Sequence, residues 1–382
     1  MRNGFRAYDS DTHVNPCAEV LDRYVDPSFR DRLPELAPYR LPSGRAAVGQ
    51  PQMHQYRVGT KFYHRVLGEK APRDSFSGRE TTWRGTKMPR PGTQDDQAAN
   101  RVADMDDEGV DTHFLIPTSW LSLVGLDDPA LEVNMIRAYH RHMADFTADH
   151  PDRLKSLIVA SSRVVPEAVR EIREWGNSKW AVAVLPLLAK DMPADHPDLY
   201  PIWEAAAEHD LAIANHSFTW NPPYYPGYLD LWENIFIGRA AAHPWGAMRF
   251  VASFVGGGLF DRFPTLRMGV LEGGFGWLPF WAKRLDEQAV YVGGTADLKQ
   301  KPSEYMQSGR FFCSIEHHEG EDMFNNVTEF LGDNVLMYAS DYPHSECQFP
   351  NSVDNIIAWQ SLKGETKKKL LWDNAARFFK QT

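Results

Sequence analysis

The chain has 382 residues, 43% of them hydrophobic and 24% charged, with a formal net charge of −10. That length can bury a large α/β core, and the acidic balance argues against nucleic acid as a general partner. Three scattered cysteines (Cys17, Cys313, Cys347) exclude a disulfide framework or zinc finger, and the absence of an apolar leader or a long apolar run predicts a soluble protein of the cytoplasm, without a membrane partner.

In chain order, FRAYDSD reads as a first strand, leading into DTHV. Asp9, Asp11 and His13 occupy alternate positions there, so an extended backbone could turn all three into one space. A polar strand end that happens to hold a histidine is the bland alternative. Residues 25–95 follow, rich in Pro, Gly and Arg and with little periodicity; from Arg30 to Arg90 thirteen Lys and Arg stand against five Asp and Glu. They predict an irregular insertion within a single domain spanning 1–382, placed over the mouth of the fold or at the contact of a homodimer or higher homo-oligomer. QAANRVADMDDEG predicts a helix ending at Gly109. Further strands are expected at 111–118, 154–161, 180–187, 211–217, 266–273, 310–316 and 334–341. Amphipathic helical stretches separate most of them, among them LEVNMIRAYHRHMADFTADH, PEAVREIREWG, YPIWEAAAEHD and WLPFWAKRLDEQ. Eight such units predict a closed parallel (β/α)8 TIM barrel with its chemistry at the C-terminal ends of the strands. No G-x-G-x-x-G follows the first strand, which weakens the open doubly wound alternative.

In a barrel, Asp11 and His13 at the end of the first strand, His216 at the end of the fifth and Asp341 at the end of the eighth converge. Two carboxylates and two imidazoles form a mixed N/O set suited to one divalent ion, zinc first, with manganese or iron as alternatives. The same groups buried without a partner would be costly.

At this point the chain resembles a known family. DTHV, RVADMDDEGVDTHFLIPT, LYPIWEAAAEHDLAIANHS, GLFDRFPTLRMGVLEGGFGWLPFWAKRLDE, LMYASDYPH and DNAARFF, in this order, are similar to the amidohydrolase superfamily. The likeness is to the amidohydrolase-related branch that includes aminocarboxymuconate-semialdehyde decarboxylase and the resorcylate-type decarboxylases. The resemblance implies a distorted (β/α)8 barrel, one catalytic divalent ion, and Asp11, His13, His216 and Asp341 as its ligands. Two departures matter. D-T-H replaces the H-x-H or E-x-H of many members, which leans the site toward harder metals. LEGG places Glu272 where the decarboxylases of this branch carry a histidine.

A carboxylate at 272 could act as a base toward metal-bound water, so the expected activity is hydrolysis of a small aromatic or cyclic carbonyl substrate. Asp341 then binds the metal and shuttles the proton, with His216 and Glu272 beside it. The alternative is a non-oxidative carboxy-lyase, in which a carboxyl acid protonates the carbon left behind. Trp220 and Tyr224, just after His216, could wall a flat substrate or only pack a loop. His243 in a loop, His317 after the seventh strand and His344 close behind Asp341 complete the substrate-side candidates, His344 also as a support to the ligands.

Overall fold

Eight parallel strands are hydrogen-bonded in sequence order: β1 (Tyr8–Val14), β2 (Thr112–Pro117), β3 (Leu154–Ser161), β4 (Ala181–Leu187), β5 (Ala212–His216), β6 (Met268–Leu271), β7 (Phe311–Ser314) and β8 (Leu336–Met337). The computed structural model describes residues 1–43, 52–57, 62–63, 73–74, 83–118, 125–189, 191–216, 235–295 and 297–380. The ring is brought to closure between its first and last strands. Ser10 N–H donates to the Tyr338 carbonyl at 3.0 Å and His13 N–H to the Tyr342 carbonyl at 2.7 Å, while Thr12 bridges Tyr342 in parallel register. This is the (β/α)8 barrel expected from the alternation of periods. Every residue of β4, AVAVLPL, is buried, the continuous apolar run of a strand covered on both faces.

The helices begin and end for local reasons. α1 (Ala98–Glu108) stops where Gly109 takes a φ of 84°, a left-handed cap that a side chain would resist. α2 (Pro129–Thr147) starts on Asp128, whose carboxylate accepts from the Ala130 N–H, with proline in the first turn. α3 (Ile235–Gly256) follows β5 and α4 (Leu278–Tyr291) follows β6.

The described parts of the 25–95 segment form helical turns over Pro27–Tyr39 and an antiparallel pair, Arg40–Pro42 with His54–Tyr56. Glu19 and Asp22 anchor the pair: Arg40 meets both carboxylates, His54 Nδ1 lies 2.7 Å from Glu19, and the Tyr56 hydroxyl donates to Asp22 at 2.7 Å. Residues 83–87 run along the loop after β8. Arg84 N–H donates to the Ser345 carbonyl, Thr86 N–H to the Phe349 carbonyl, and Trp83 packs on the buried cluster of Tyr342, Cys347 and Phe349. A Cβ at Gly85 would lie 2.6 Å from that Phe349 oxygen, so only glycine allows the approach. Among the described residues no helix is long and apolar enough to cross a membrane.

Candidate metal centre

Asp11, His13, His216 and Glu272 each offer a ligand atom, all within 4.8 Å of one another, and His13, Glu272, Asp341 and His344 form a second, overlapping group under the same limit. The side chains come from β1, the end of β5, and the turns after β6 and β8, more than 300 residues apart along the chain. Their own backbone N–H groups align two of them: Asp341 N–H donates to the Asp11 carbonyl at 3.1 Å and Glu272 N–H to the Ser314 hydroxyl at 3.1 Å. Glu272 and Asp341 both have left-handed backbones, with φ of 47° and 58°. Such conformations cost non-glycine residues about 1–3 kcal/mol each and persist where surrounding structure enforces them. Gly274, with φ +66°, makes room at the same turn, because a Cβ there would meet the Glu319 carboxylate that accepts from Phe275 and Gly276 N–H.

His13 Nε2 has Asp341 Oδ1 at 3.2 Å, Asp11 Oδ1 at 3.3 Å and Glu272 Oε2 at 3.4 Å. A ring nitrogen carries at most one proton and can point it at one oxygen, so three carboxylates around it are better suited to a cation than to a hydrogen bond. His216 Nε2 lies 2.8 Å from Glu272 Oε2 and 3.9 Å from Asp11 Oδ1. Asp11 Oδ1, His13 Nε2 and His216 Nε2 are buried without a well-formed hydrogen bond. Three carboxylates and two imidazoles thus offer a mixed N/O donor set of the kind that holds a divalent ion.

Titration follows the same crowding. Burial alone would lower His13, yet Asp11, Asp341 and Glu272 raise it well above the usual histidine range. Burial pushes Glu272 up, but His216 and His13 hold its carboxyl well below the ordinary value. Burial and the nearby Glu272, Asp341 and Asp11 raise Glu316 well above a normal carboxyl.

The sequence-derived candidates fall into three groups. Asp11, His13 and His216 share one group with Glu272, and Asp341 adjoins it through His13, whose Nε2 lies 3.2 Å from Asp341 Oδ1. His344 is bound to the set, with Nδ1 2.7 Å from Asp341 Oδ1 and its ring stacked on His13 at 3.9 Å. His243 sits on α3, not in a loop: the helix runs through Pro244 and brings Nδ1 to 3.7 Å from Glu272 Oε1. His317 lines the adjoining cleft, and burial lowers it to about 4. Trp220 and Tyr224 lie outside the described residues. Asp9 does not share the space of Asp11 and His13. The register of β1 shifts between Asp9 and Thr12, and the Asp9 carboxylate instead accepts from Ser340 N–H at 3.0 Å.

Four residues escaped the motif reading. Thr118 directly follows β2 and Glu316 lies two residues beyond β7, strand-end positions that could have drawn attention to them. Arg84 reaches the cleft beside Asp11 and Asp341 from the irregular segment, where no periodicity points to it. Arg101 is wholly buried on α1; its Nη1 donates to the His13 carbonyl at 2.6 Å, its Nε to His113 Nδ1 at 3.0 Å, and its guanidinium covers the Tyr342 ring at 4.6 Å.

A family model described as amidohydrolase matches residues 9–381. Among solved structures, the chain is similar to a 5-carboxyvanillate decarboxylase from Sphingomonas paucimobilis, with 23% identity, 99% of this chain and 100% of that one covered, and a TM-score of 0.66. A 5-carboxyvanillate decarboxylase from Novosphingobium aromaticivorans, solved with manganese and 3-methoxy-4-hydroxy-5-nitrobenzoic acid, has 21% identity over 99% and 98% of the two chains and a TM-score of 0.68. An amidohydrolase from Mycobacterium avium subsp. paratuberculosis has 16% identity over 98% and 99%, with a TM-score of 0.71.

Proposed function

The chain belongs to the amidohydrolase family, and we propose that it is a metal-dependent, non-oxidative decarboxylase of a hydroxy-substituted aromatic acid. The observation that carries this choice is the position of Glu272. Hydrolysis drew its support from a free carboxylate able to activate water, but Glu272 Oε2 lies 2.8 Å from His216 Nε2 and 3.4 Å from His13 Nε2, among the donor atoms. A carboxylate engaged as a ligand is a poor base. The likeness to manganese-containing decarboxylases of the same fold supports the same direction.

Asp11, His13, His216, Glu272 and Asp341 would hold one divalent ion, manganese being favoured by three carboxylates. When bound, the ion supplies a Lewis acid that fixes and polarises neighbouring phenolate and carboxylate oxygens. The reaction is redox-neutral: the bond from ring carbon to carboxyl breaks, its electron pair stays on the ring carbon, carbon dioxide leaves, and the carbon takes a proton. Glu316, lining the cleft next to Asp11 and Asp341 with its carboxyl raised well above the ordinary range chiefly by burial, would supply that proton. Arg84 brings a guanidinium to the cleft wall, facing further anionic groups of the substrate.

The test is product analysis with the manganese-loaded protein and a panel of ortho-hydroxybenzoates in heavy water. Carbon dioxide release, with one deuterium at the vacated ring carbon, is the expected result. Oxygen transfer from labelled water into an acid product, without carbon dioxide, would establish hydrolysis instead.

A further inference from the structure

A single hydroxyl joins His13 to His344. Thr118 Oγ1 lies 2.9 Å from His13 Nδ1 and 3.2 Å from His344 Nε2, while His344 Nδ1 lies 2.7 Å from Asp341 Oδ1. That same Asp341 oxygen is 3.2 Å from His13 Nε2, so the four side chains form a ring. Thr118 is held at this point by its own backbone, whose N–H donates to the Val14 carbonyl at 2.8 Å.

The direction of every hydrogen bond follows from the chemistry of the groups. An ionised Asp341 only accepts, so the proton of a neutral His344 sits on Nδ1 and its Nε2 presents a lone pair. That lone pair needs a donor, and the hydroxyl of Thr118 is the group in reach. With its proton committed to His344, Thr118 Oγ1 can only accept from the His13 side. With a cation in place of the Nε2 proton, His13 therefore keeps its one remaining proton on Nδ1 and turns a lone pair on Nε2 toward the site lined by Asp11, Glu272 and Asp341. The opposite polarity would place a proton on Nε2 and point it at the cation site.

We propose that Thr118 is a positioning residue that fixes the tautomer and ring orientation of His13, and through His344 the orientation of Asp341, for metal binding. The proposal rests on the reading of this cluster as a metal centre, and it adds a residue that acts through His13 and His344. Partners of this kind typically change metal affinity 10–100-fold when removed.

The test uses the full chain and manganese alone, so that it does not depend on any substrate. Thr118→Val keeps the shape and deletes the hydroxyl; Thr118→Ser keeps the hydroxyl. The expected result is a Thr118→Val protein with 10–100-fold weaker manganese binding but an unchanged metal-free melting temperature, and a Thr118→Ser protein within about threefold of wild type. In addition, Thr118→Val combined with His344→Gln should weaken binding no further than the stronger single variant, since both break one chain. Equal manganese affinity for Thr118→Val and wild type overturns the proposal, and so does a loss that Thr118→Ser fails to rescue. A wild-type protein that binds no manganese at neutral pH defeats the metal reading itself, which the stoichiometry of the wild type decides before any variant is made.

Discussion

Replacing Glu272 by glutamine separates its role as a ligand from a role as a base. The substitution keeps the side-chain shape and an oxygen donor but removes one of the three negative charges that meet His13 Nε2 at 3.2–3.4 Å. With all three carboxylates ionised around a dication, the cluster carries one net negative charge; with glutamine it is neutral. Two effects of opposite sign follow. Manganese binding should weaken by more than about 100-fold, because a ligand matters more than the supporting groups whose loss costs 10–100-fold. Once the metal is saturating, an anionic ligand should bind more tightly. A ligand carboxylate about 5 Å from Glu272 is repelled by about 3 kcal/mol at an effective dielectric of 20, an upper bound that solvent and relaxation reduce. The expectation is about 10–100-fold tighter binding of a nitro-substituted hydroxybenzoate. Chelator competition measures the first quantity and calorimetry at saturating manganese the second. Metal affinity within about threefold of wild type, together with a rate lowered by about 10²–10⁴-fold, would make Glu272 a base and refute the ligand argument.

Glu316→Gln should retain the metal and lose about 10²–10⁴-fold in turnover, read from metal content and carbon dioxide release; unchanged turnover would remove Glu316 as the proton source. His216→Ala should lose most of its metal while its circular dichroism stays that of a folded barrel, and full metal content would exclude His216 from the set. Arg101→Met should unfold in urea with about 3–5 kcal/mol less stability, since it leaves Asp9, Asp104 and Glu108 buried around a missing cation, whereas Arg101→Lys should lose less. Although burial pushes Glu19 up, Arg40 and His54 hold its carboxyl at about 2, so the anchorage it gives is complete above its ordinary value near 4.5 and is lost as pH falls toward 2. Urea unfolding should therefore show Glu19→Gln less stable than wild type at pH 5, with the difference closing as pH falls toward 2.

The barrel was legible because a buried parallel strand and a surface helix write different periods into the chain; AVAVLPL and PEAVREIREW are clear examples. That Asp11, His13 and His216 meet, with Asp341 beside His13, was legible for a related reason, that strand ends in a barrel share one space. What failed was anything set by fine register or by three-dimensional approach. Alternation placed Asp9 beside Asp11, but an irregularity in β1 moved it to Ser340. Pro244 made the surroundings of His243 read as loop, whereas α3 carries through it. Nothing in L-E-G-G announces the φ of 47° that turns the Glu272 carboxylate onto His216. Thr118 and Arg101 act through bonds to His13, and such bonds leave no periodic trace.

The closure of β1 against the loop after β8 also bears on how the protein folds. Asp11 and Asp341, and the stretch 83–87 with Ser345 and Phe349, meet only when the two ends of the chain come together. Contacts of that sequence separation carry a high loop-closure entropy and form late. A nascent chain halted before residue 336 would hold Asp11, His13, His216 and Glu272 but lack Asp341 and the seam that aligns β1. High-affinity metal capture is consequently an event of the finished ring. An ion that binds only the finished ring drains the unfolded population by mass action, adding about 2.7 kcal/mol when its free concentration is a hundred times its dissociation constant. On the proposed metal reading, cells starved of the ion should accumulate less of the protein as well as less of its activity.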